Sequence, residues 1–160
     1  MGKKDIKLTI EDINFSIRVV GVIIKNNKVL FQKRKNDKYW ALPGGKVEIL
    51  EKTQDVIIRE LYEEIGLTDI EIKRPLWFTE YFFNVNNTKH HQYIIGYLLD
   101  IKDNEKIINI EEFDGIEPTK NIIYKWIKLS ELKNTDIKPD YLSEKLTNIK
   151  EEFEFISVEE

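Results

Sequence analysis

Apolar positions along the chain change their spacing several times, and each change marks an element. Val19, Val20, Val22, Ile23 and Ile24 make a strand over about Arg18 to Lys25. Asn26-Asn27 follows as a tight hairpin turn, because asparagine tolerates positive φ, and Val29-Leu30-Phe31 returns as a second strand. Lys33 to Lys38 reads as a polar, basic loop. Tyr39 to Leu42 reads as a short extended piece, stopped by Pro43-Gly44-Gly45. From Thr53 to Ile65 the spacing becomes helical, with Thr53 as N-cap and Gly66 where a left-handed C-terminal cap belongs. Ile70 to Val85 and His91 to Ile101 are two long strands around an Asn86-Asn87-Thr88 turn. Lys106 to Asp114 follows neither spacing, and Glu111 to Asn121 reads as a long loop. Tyr124 to Leu129 is a strand, and Ser130 caps a short helical turn at Glu131-Leu132. A last amphipathic helix is predicted over Tyr141 to Phe153, with a frayed acidic tail after about residue 154. Strands before and after a central helix, with a second helix at the end, make the fold class α+β, a layered domain built on a mixed sheet. The 160 residues carry no repeat and no Pro/Gly/Ser-rich linker, so the expectation is one domain over residues 1–160.

Composition narrows the function. Apolar residues are 41% and charged residues 34%, enough apolar matter for a core and too much for a disordered polymer. The 25 basic and 29 acidic side chains give a net charge of −4, which argues against a duplex nucleic-acid surface, since such a surface needs a basic excess. The chain has no cysteine, which excludes disulfides, thiolate metal sites and a cysteine nucleophile. Met1 to Ile10 lacks the apolar segment of a signal peptide, Ile6 stands where an acylation signal at Gly2 wants Ser or Thr, and no run approaches the roughly 18 apolar residues of a membrane helix. These points predict a soluble cytoplasmic protein with no membrane partner.

The chemistry concentrates on the Thr53–Ile65 helix. At about 100° per residue, Glu60, Glu63 and Glu64 share an arc of about 100°. Ile57, Ile58, Leu61, Tyr62 and Ile65 fall elsewhere on the wheel, so the helix is expected to pack on a sheet while presenting three carboxylates away from it. Like charges at these spacings repel, and no lysine lies inside the arc. Arg59 lies on its rim, four residues before Glu63, in a chain with 21 lysines and four arginines. A divalent cation turns the repulsion into binding, and oxygen-only ligands favour Mg²⁺, Mn²⁺ or Ca²⁺ over zinc.

Gly45, Glu51, Arg59-Glu60, Leu61, Glu63-Glu64, Gly66 and Leu67 fill every defined position of G-x5-E-x7-R-E-U-x-E-E-x-G-U, with U apolar. This run resembles the signature of the Nudix hydrolase family. The resemblance implies an α/β/α sandwich with a mixed sheet between helices, and Mg²⁺- or Mn²⁺-dependent hydrolysis of a nucleoside diphosphate linked to another group. By position, Glu60, Glu63 and Glu64 correspond to metal ligands, with the Gly45 carbonyl as an added backbone oxygen. Glu51 and Arg59 correspond to residues that orient them, so the catalytic set is Glu63, Glu64, Arg59 and Glu51. Gly66 corresponds to the helix stop and Leu67 to the anchor of the next segment. The general base stays open between Glu63 and Glu64, with Glu48, Glu80 and Glu117 as outside candidates.

Substrate contacts are less sharply specified. Arg34, flanked by Lys33 and Lys35, can meet a terminal phosphate, and Arg18 is a weaker candidate. Trp40, Trp77, Phe78, Tyr81, Phe82 and Phe83 can offer a platform for a base, with at least half of them turned into the core by strand alternation; Trp40 and Tyr81 are the chosen candidates. His90 and His91 are adjacent on a strand and so point to opposite faces, which keeps them from sharing one metal. Subfamily signals leave the substrate open: Pro75 comes too early for ADP-ribose hydrolases, Tyr81 is out of register for diadenosine polyphosphate hydrolases, and Val29 to Gly45 lacks the coenzyme A pyrophosphatase motif. The expected partner is a small nucleotide. The Ile-rich strands leave room for a homodimer. The alternative reading is a nucleotide-binding or sensor module without turnover, which has no need of the complete glutamate set. A prenyl diphosphate isomerase on the same fold would require the cysteine this chain lacks.

Overall fold

A computed structural model describes residues 4–160, and the reading of Gly2 lies outside them. Among the described residues, nine strands form one sheet: β1 (Lys7–Ile10), β2 (Ile13–Lys25), β3 (Lys28–Arg34), β4 (Gly44–Lys46), β5 (Ile70–Val85), β6 (Thr88–Ile101), β7 (Glu112–Asp114), β8 (Ile122–Lys128) and β9 (Glu154–Glu159). The order is β7-β8-β3-β2-β6-β5-β9, with β1 and β4 also paired to β2. The β2–β6 and β5–β9 pairs are parallel and the others antiparallel, so the sheet is mixed.

Strand alternation builds two cores. On β2, Val19 and Ile23 point to one face, and Val20 and Val22 to the other. Helix α1 (Thr53–Ile65) covers the first face through Val56, Ile57, Leu61 and Ile65. The segment after β8 covers the second, through Leu132 in a 3₁₀ turn (Leu129–Asn134), Ile137, and Leu142 and Leu146 around the one-turn helix α2 (Leu142–Lys145). Each such side chain contributes about 1.5–3 kcal/mol of burial. The result is the α+β sandwich expected from the order of elements. No helix among the described residues is long and apolar enough to cross a membrane.

A split in the sheet positions the site. β2 and β3 pair at Ile24–Val29 and Lys25–Lys28. Farther from the turn, β4 lies along β2, with Gly45 opposite Val19, and Ala41 pairs with Gln32 of β3. The Gly44-Gly45 backbone is thereby brought beneath α1.

Several boundaries differ from the sequence reading. Thr53 is the first helical residue rather than the cap; Lys52 occupies the cap, and the Thr53 hydroxyl lies 2.7 Å from that of Tyr97. Ser130 lies inside its 3₁₀ turn, and Lys128 stands at the cap. Lys33 and Arg34 complete β3 instead of opening a loop, and the loop over 111–121 includes β7. The helix over 141–153 is one turn only, and the tail is strand β9 instead of a frayed end. The physical reason is competition for the backbone. Arg74 takes the carbonyls of Lys150 (2.7 Å) and Glu151 (2.9 Å), and the β5 edge pairs with 154–159 from Trp77 to Phe82.

Candidate active site

Helix α1 places its carboxylates differently from a simple acidic face. Its buried arc runs through Val56, Glu60, Glu64, Ile57, Leu61 and Ile65, so two of the three glutamates lie inside it. Glu60 is 7% exposed and Glu64 5%. Glu63 and Tyr62 face outward. The expectation that all three carboxylates turn away from the packed side holds for Glu63 alone. The reason is the 111–121 loop, which folds over this edge of the helix: Ile116 N–H donates to the Glu64 carbonyl at 2.8 Å, and Gly115 N–H to Ile122 O at 2.9 Å.

Each buried carboxylate has partners. Arg59 is the hub. Its Nε and one terminal nitrogen donate to the two oxygens of Glu51 at 2.7 and 3.0 Å, and its other terminal nitrogen donates to Glu60 Oε1 at 3.0 Å and Glu63 Oε2 at 3.3 Å. Glu51 also accepts the Glu48 N–H at 3.2 Å, and the Glu48 carboxylate stands 3.9 Å from Arg59. The hydrogen bond to Glu51 raises the Arg59 pKa further, against the opposing effect of burial. Tyr124 on β8 donates its hydroxyl to Glu64 Oε2 at 2.7 Å. Lys120 Nζ donates to Glu64 Oε1 at 3.1 Å and stands 3.8 Å from Glu60 Oε2 and 3.4 Å from Glu117 Oε1. Burial, followed by the neighbouring Glu64 charge, pushes the Glu60 carboxyl above its usual range, while Lys120 and Arg59 pull it back. Burial lowers the Lys120 ammonium most, but Glu64, Glu60 and Glu117 together outweigh it and leave its pKa raised.

Gly45 completes the arrangement by what it lacks. A Cβ there would lie 2.1 Å from the Glu60 carboxyl carbon and 2.2 Å from Oε1. Only a hydrogen at this position lets the Glu60 carboxylate rest against the β4 backbone.

The donor chemistry fits a hard divalent cation: two buried carboxylates side by side, a third on the same helix, and a neighbouring backbone. Among the described residues, no three His, Cys, Asp or Glu side chains stand in a cluster set to hold a metal ion. Lys120 stands 3.1 Å from Glu64, 3.4 Å from Glu117 and 3.8 Å from Glu60, and Glu63 pairs with Arg59 at 3.3 Å.

Comparison with known proteins decides the family. The NUDIX domain family model matches residues 16–146. The chain belongs to the Nudix family. An ADP-ribose pyrophosphatase of Methanocaldococcus jannaschii is 41% identical over 68 residues, covering 41% of this chain and 40% of that protein. An RNA pyrophosphohydrolase of Haemophilus ducreyi is 31% identical over 115 residues, covering 60% of this chain and 58% of that protein. An 8-oxo-dGTP diphosphatase of Buchnera aphidicola is 30% identical over 119 residues, covering 72% and 78%. The matches thus span about two-fifths and under three-fifths of the first two relatives. The MutT protein of Bacillus halodurans shares the fold, with a TM-score of 0.65 at 13% identity over 90% of this chain and 89% of that one.

The Nudix helix gathers Gly45, Glu51, Arg59, Glu60, Glu63 and Glu64 in one place, and leaves the three substrate candidates elsewhere. Arg34 is exposed at the end of β3, opposite Ile122. Trp40 packs on the second core, on the other face of the sheet, with Lys33 Nζ 4.8 Å above its ring. Tyr81 is in that same core, stacked on Phe83 and donating to Glu160 at 2.6 Å. Arg18 reaches the Gly44 carbonyl at 3.3 Å, and its burial lowers its pKa against the opposing charges of Glu64 and Glu60. Glu80 sits on β5 opposite Tyr93, and Glu117 lies beside Lys120. His90 stacks on Phe83, while His91 meets Phe82 at a tilt of 33°, each with its own neighbours. Lys120 and Tyr124 escaped the sequence reading. For Tyr124 a signal existed, since it alternates with Trp126 on the face that α1 covers; for Lys120 the signature offers none.

Proposed function

We propose that this Nudix chain hydrolyses a pyrophosphate bond in a nucleoside diphosphate linked to another group, in a reaction that depends on Mg²⁺ or Mn²⁺. The observation that carries this reading is the pair of buried carboxylates, Glu60 resting against Gly45 and bonded by the Arg59 that also grips Glu51, and Glu64 bonded by Tyr124 and Lys120. Glu60, Glu64 and Glu63, with the Gly45 carbonyl, would hold the cation. When bound, the cation neutralises phosphate charge and acidifies a water. Arg59 fixes the rotamers of Glu51 and Glu60 and keeps Glu63 within reach of the same space. Tyr124 holds the other carboxylate, so that both stay fixed while charge develops on the substrate. The proton of the attacking water passes to a carboxylate, and Glu63 or Glu64 is the base we favour, with Glu117 and Glu48 adjoining. Products are a nucleoside monophosphate and a second phosphate compound.

The test panel follows the relatives' names, ADP-ribose, RNA and 8-oxo-dGTP, together with dinucleoside polyphosphates. Cleavage of one of these with Mg²⁺ and none in chelator is the expected result. Glu63→Gln should lower turnover by about two orders of magnitude or more with the fold intact. Binding of a panel nucleotide without cleavage in any metal would instead support the sensor reading.

A further inference from the structure

We infer that Lys120 is an internal counter-cation that a divalent ion must displace, so that the segment 115–121 opens as the metal loads. The inference rests on the function proposed above. Lys120 Nζ lies 3.1 Å from Glu64 Oε1, 3.4 Å from Glu117 Oε1 and 3.8 Å from Glu60 Oε2, three carboxylates from two segments of the chain. An ammonium and a hydrated cation cannot share that volume, and the two compete for the same negative charge. Glu60 and Glu64 are buried and close together, so positive charge beside them offsets their mutual repulsion whenever both are ionised. Arg59 supplies it to Glu60 at 3.0 Å, and Lys120 supplies it to Glu64 at 3.1 Å.

The structure leaves the Lys120 side chain room to withdraw. Its side of the contact is a long stem that is 39% exposed. The segment has backbone anchors at its ends, with Ile116 N–H on Glu64 O, Gly115 N–H on Ile122 O, and Lys35 N–H on Asn121 O. Between them only the short Lys120–Glu117 turn (3.2 Å) is bonded within the backbone. Asn121, beside Lys120, lies in the left-handed region at φ 54°. Glu117 Oε1 is sealed from solvent without a hydrogen-bond partner, so the contact with Lys120 leaves a carboxylate oxygen that a cation can take up. Once displaced, Lys120 stands at the mouth of a site for a polyanion, where its charge favours the phosphates of the incoming substrate. The exchange makes metal and substrate loading mutually supportive: metal frees the ammonium, and the ammonium meets the phosphate.

The test is Mn²⁺ binding to the full chain without substrate, by electron paramagnetic resonance, in wild type, Lys120→Ala and Lys120→Arg. The expected result is about tenfold tighter binding in Lys120→Ala, the scale of a partly buried charge pair, and near-wild-type binding in Lys120→Arg. Equal affinity in wild type and Lys120→Ala overturns the inference and leaves the proposed function standing. Absence of Mn²⁺ binding in both overturns the functional reading itself. A second measurement needs no variant: hydrogen exchange over residues 115–121 of the wild type should quicken on adding Mg²⁺, and slower or unchanged exchange counts against displacement.

Discussion

Glycine 45 offers the sharpest test of the site, because its effect is purely steric. Its backbone lies in β4, opposite Val19, and is not in the left-handed region, so alanine fits the chain path. The added Cβ would lie 2.1 Å from the Glu60 carboxyl carbon, 2.2 Å from Oε1 and 2.5 Å from Cγ. Relief requires the carboxylate to retreat by about 1 Å. It cannot do so freely, since Arg59 holds Oε1 at 3.0 Å and the rest of α1 is packed on the sheet. Overpacking of this kind costs about 1–3 kcal/mol of stability. A misplacement of about 1 Å at the reacting centre costs about 100-fold in rate. Gly45→Ala is therefore expected to lose about two orders of magnitude in kcat and to bind Mn²⁺ more weakly, measured on protein that urea titration shows to be folded. Gly96→Ala separates the two effects. There the Cβ would lie 2.3 Å from Trp77 Nε1, an equal intrusion into the second core, so stability should fall while kcat per folded molecule holds. A Gly45→Ala enzyme within threefold of wild-type kcat would refute the placement of Glu60 in the catalytic apparatus.

Two further outcomes test the network and the cores. Arg59→Lys keeps the charge but cannot span Glu51 with two donors while also reaching Glu60; kcat should drop about 10- to 100-fold with circular dichroism unchanged, and a loss under twofold would remove Arg59 from its positioning role. Burial pushes the Tyr141 phenol up to about 12, and burial pushes Tyr81 and Tyr124 higher still, with bonded Glu160 adding to the first and Glu64 to the second. A phenol whose folded pKa is raised contributes stability in full below its unfolded value near 10, and that contribution is lost as pH rises through the folded value. Tyr141 alone should account for roughly 2–3 kcal/mol lost between about pH 10 and 12. Absorbance at 295 nm should show these three ionising only as the circular dichroism signal collapses; reversible ionisation of all seven tyrosines near pH 10 would contradict their burial.

Local codes were legible in the sequence and long-range competition was not. Asn26-Asn27 and Asn86-Asn87 take positive φ in the turns predicted for them, because a small amide side chain tolerates that region. The bounds of α1 and β5 follow from spacing and from Gly66, at φ 73°. The 141–153 stretch has helical spacing too, but its fate is settled by Arg74 and an open β5 edge, both about 70 residues away. The same holds at the site. A helical wheel ranks Glu60 and Glu64 as surface positions, and the Gly45 backbone against Glu60, with Lys120 and Tyr124 over that edge, makes them interior. Residue types at fixed spacing pointed to the family; the partners of Glu60 and Glu64 come from segments whose proximity no local pattern encodes.

Two neighbouring buried carboxylates oppose folding, and this sets function against stability on a single residue. The raised Glu60 pKa means that burial and Glu64 repulsion outweigh the pull of Lys120 and Arg59. Glu60→Gln keeps the shape, removes the charge and its desolvation cost, and weakens the 3.0 Å bond from Arg59. Metal-free stability should therefore be unchanged or higher, by about 0–2 kcal/mol in urea denaturation. Turnover should fall by orders of magnitude, and saturating Mn²⁺ should stabilise the wild type more than the variant, reversing their order, because a ligand stabilises whichever form binds it. A metal-free Glu60→Gln protein more than about 1 kcal/mol less stable than wild type would show that the ion pairs dominate. Glu60 would then be held in place for the fold, and its retention in the helix would need no cation to explain it.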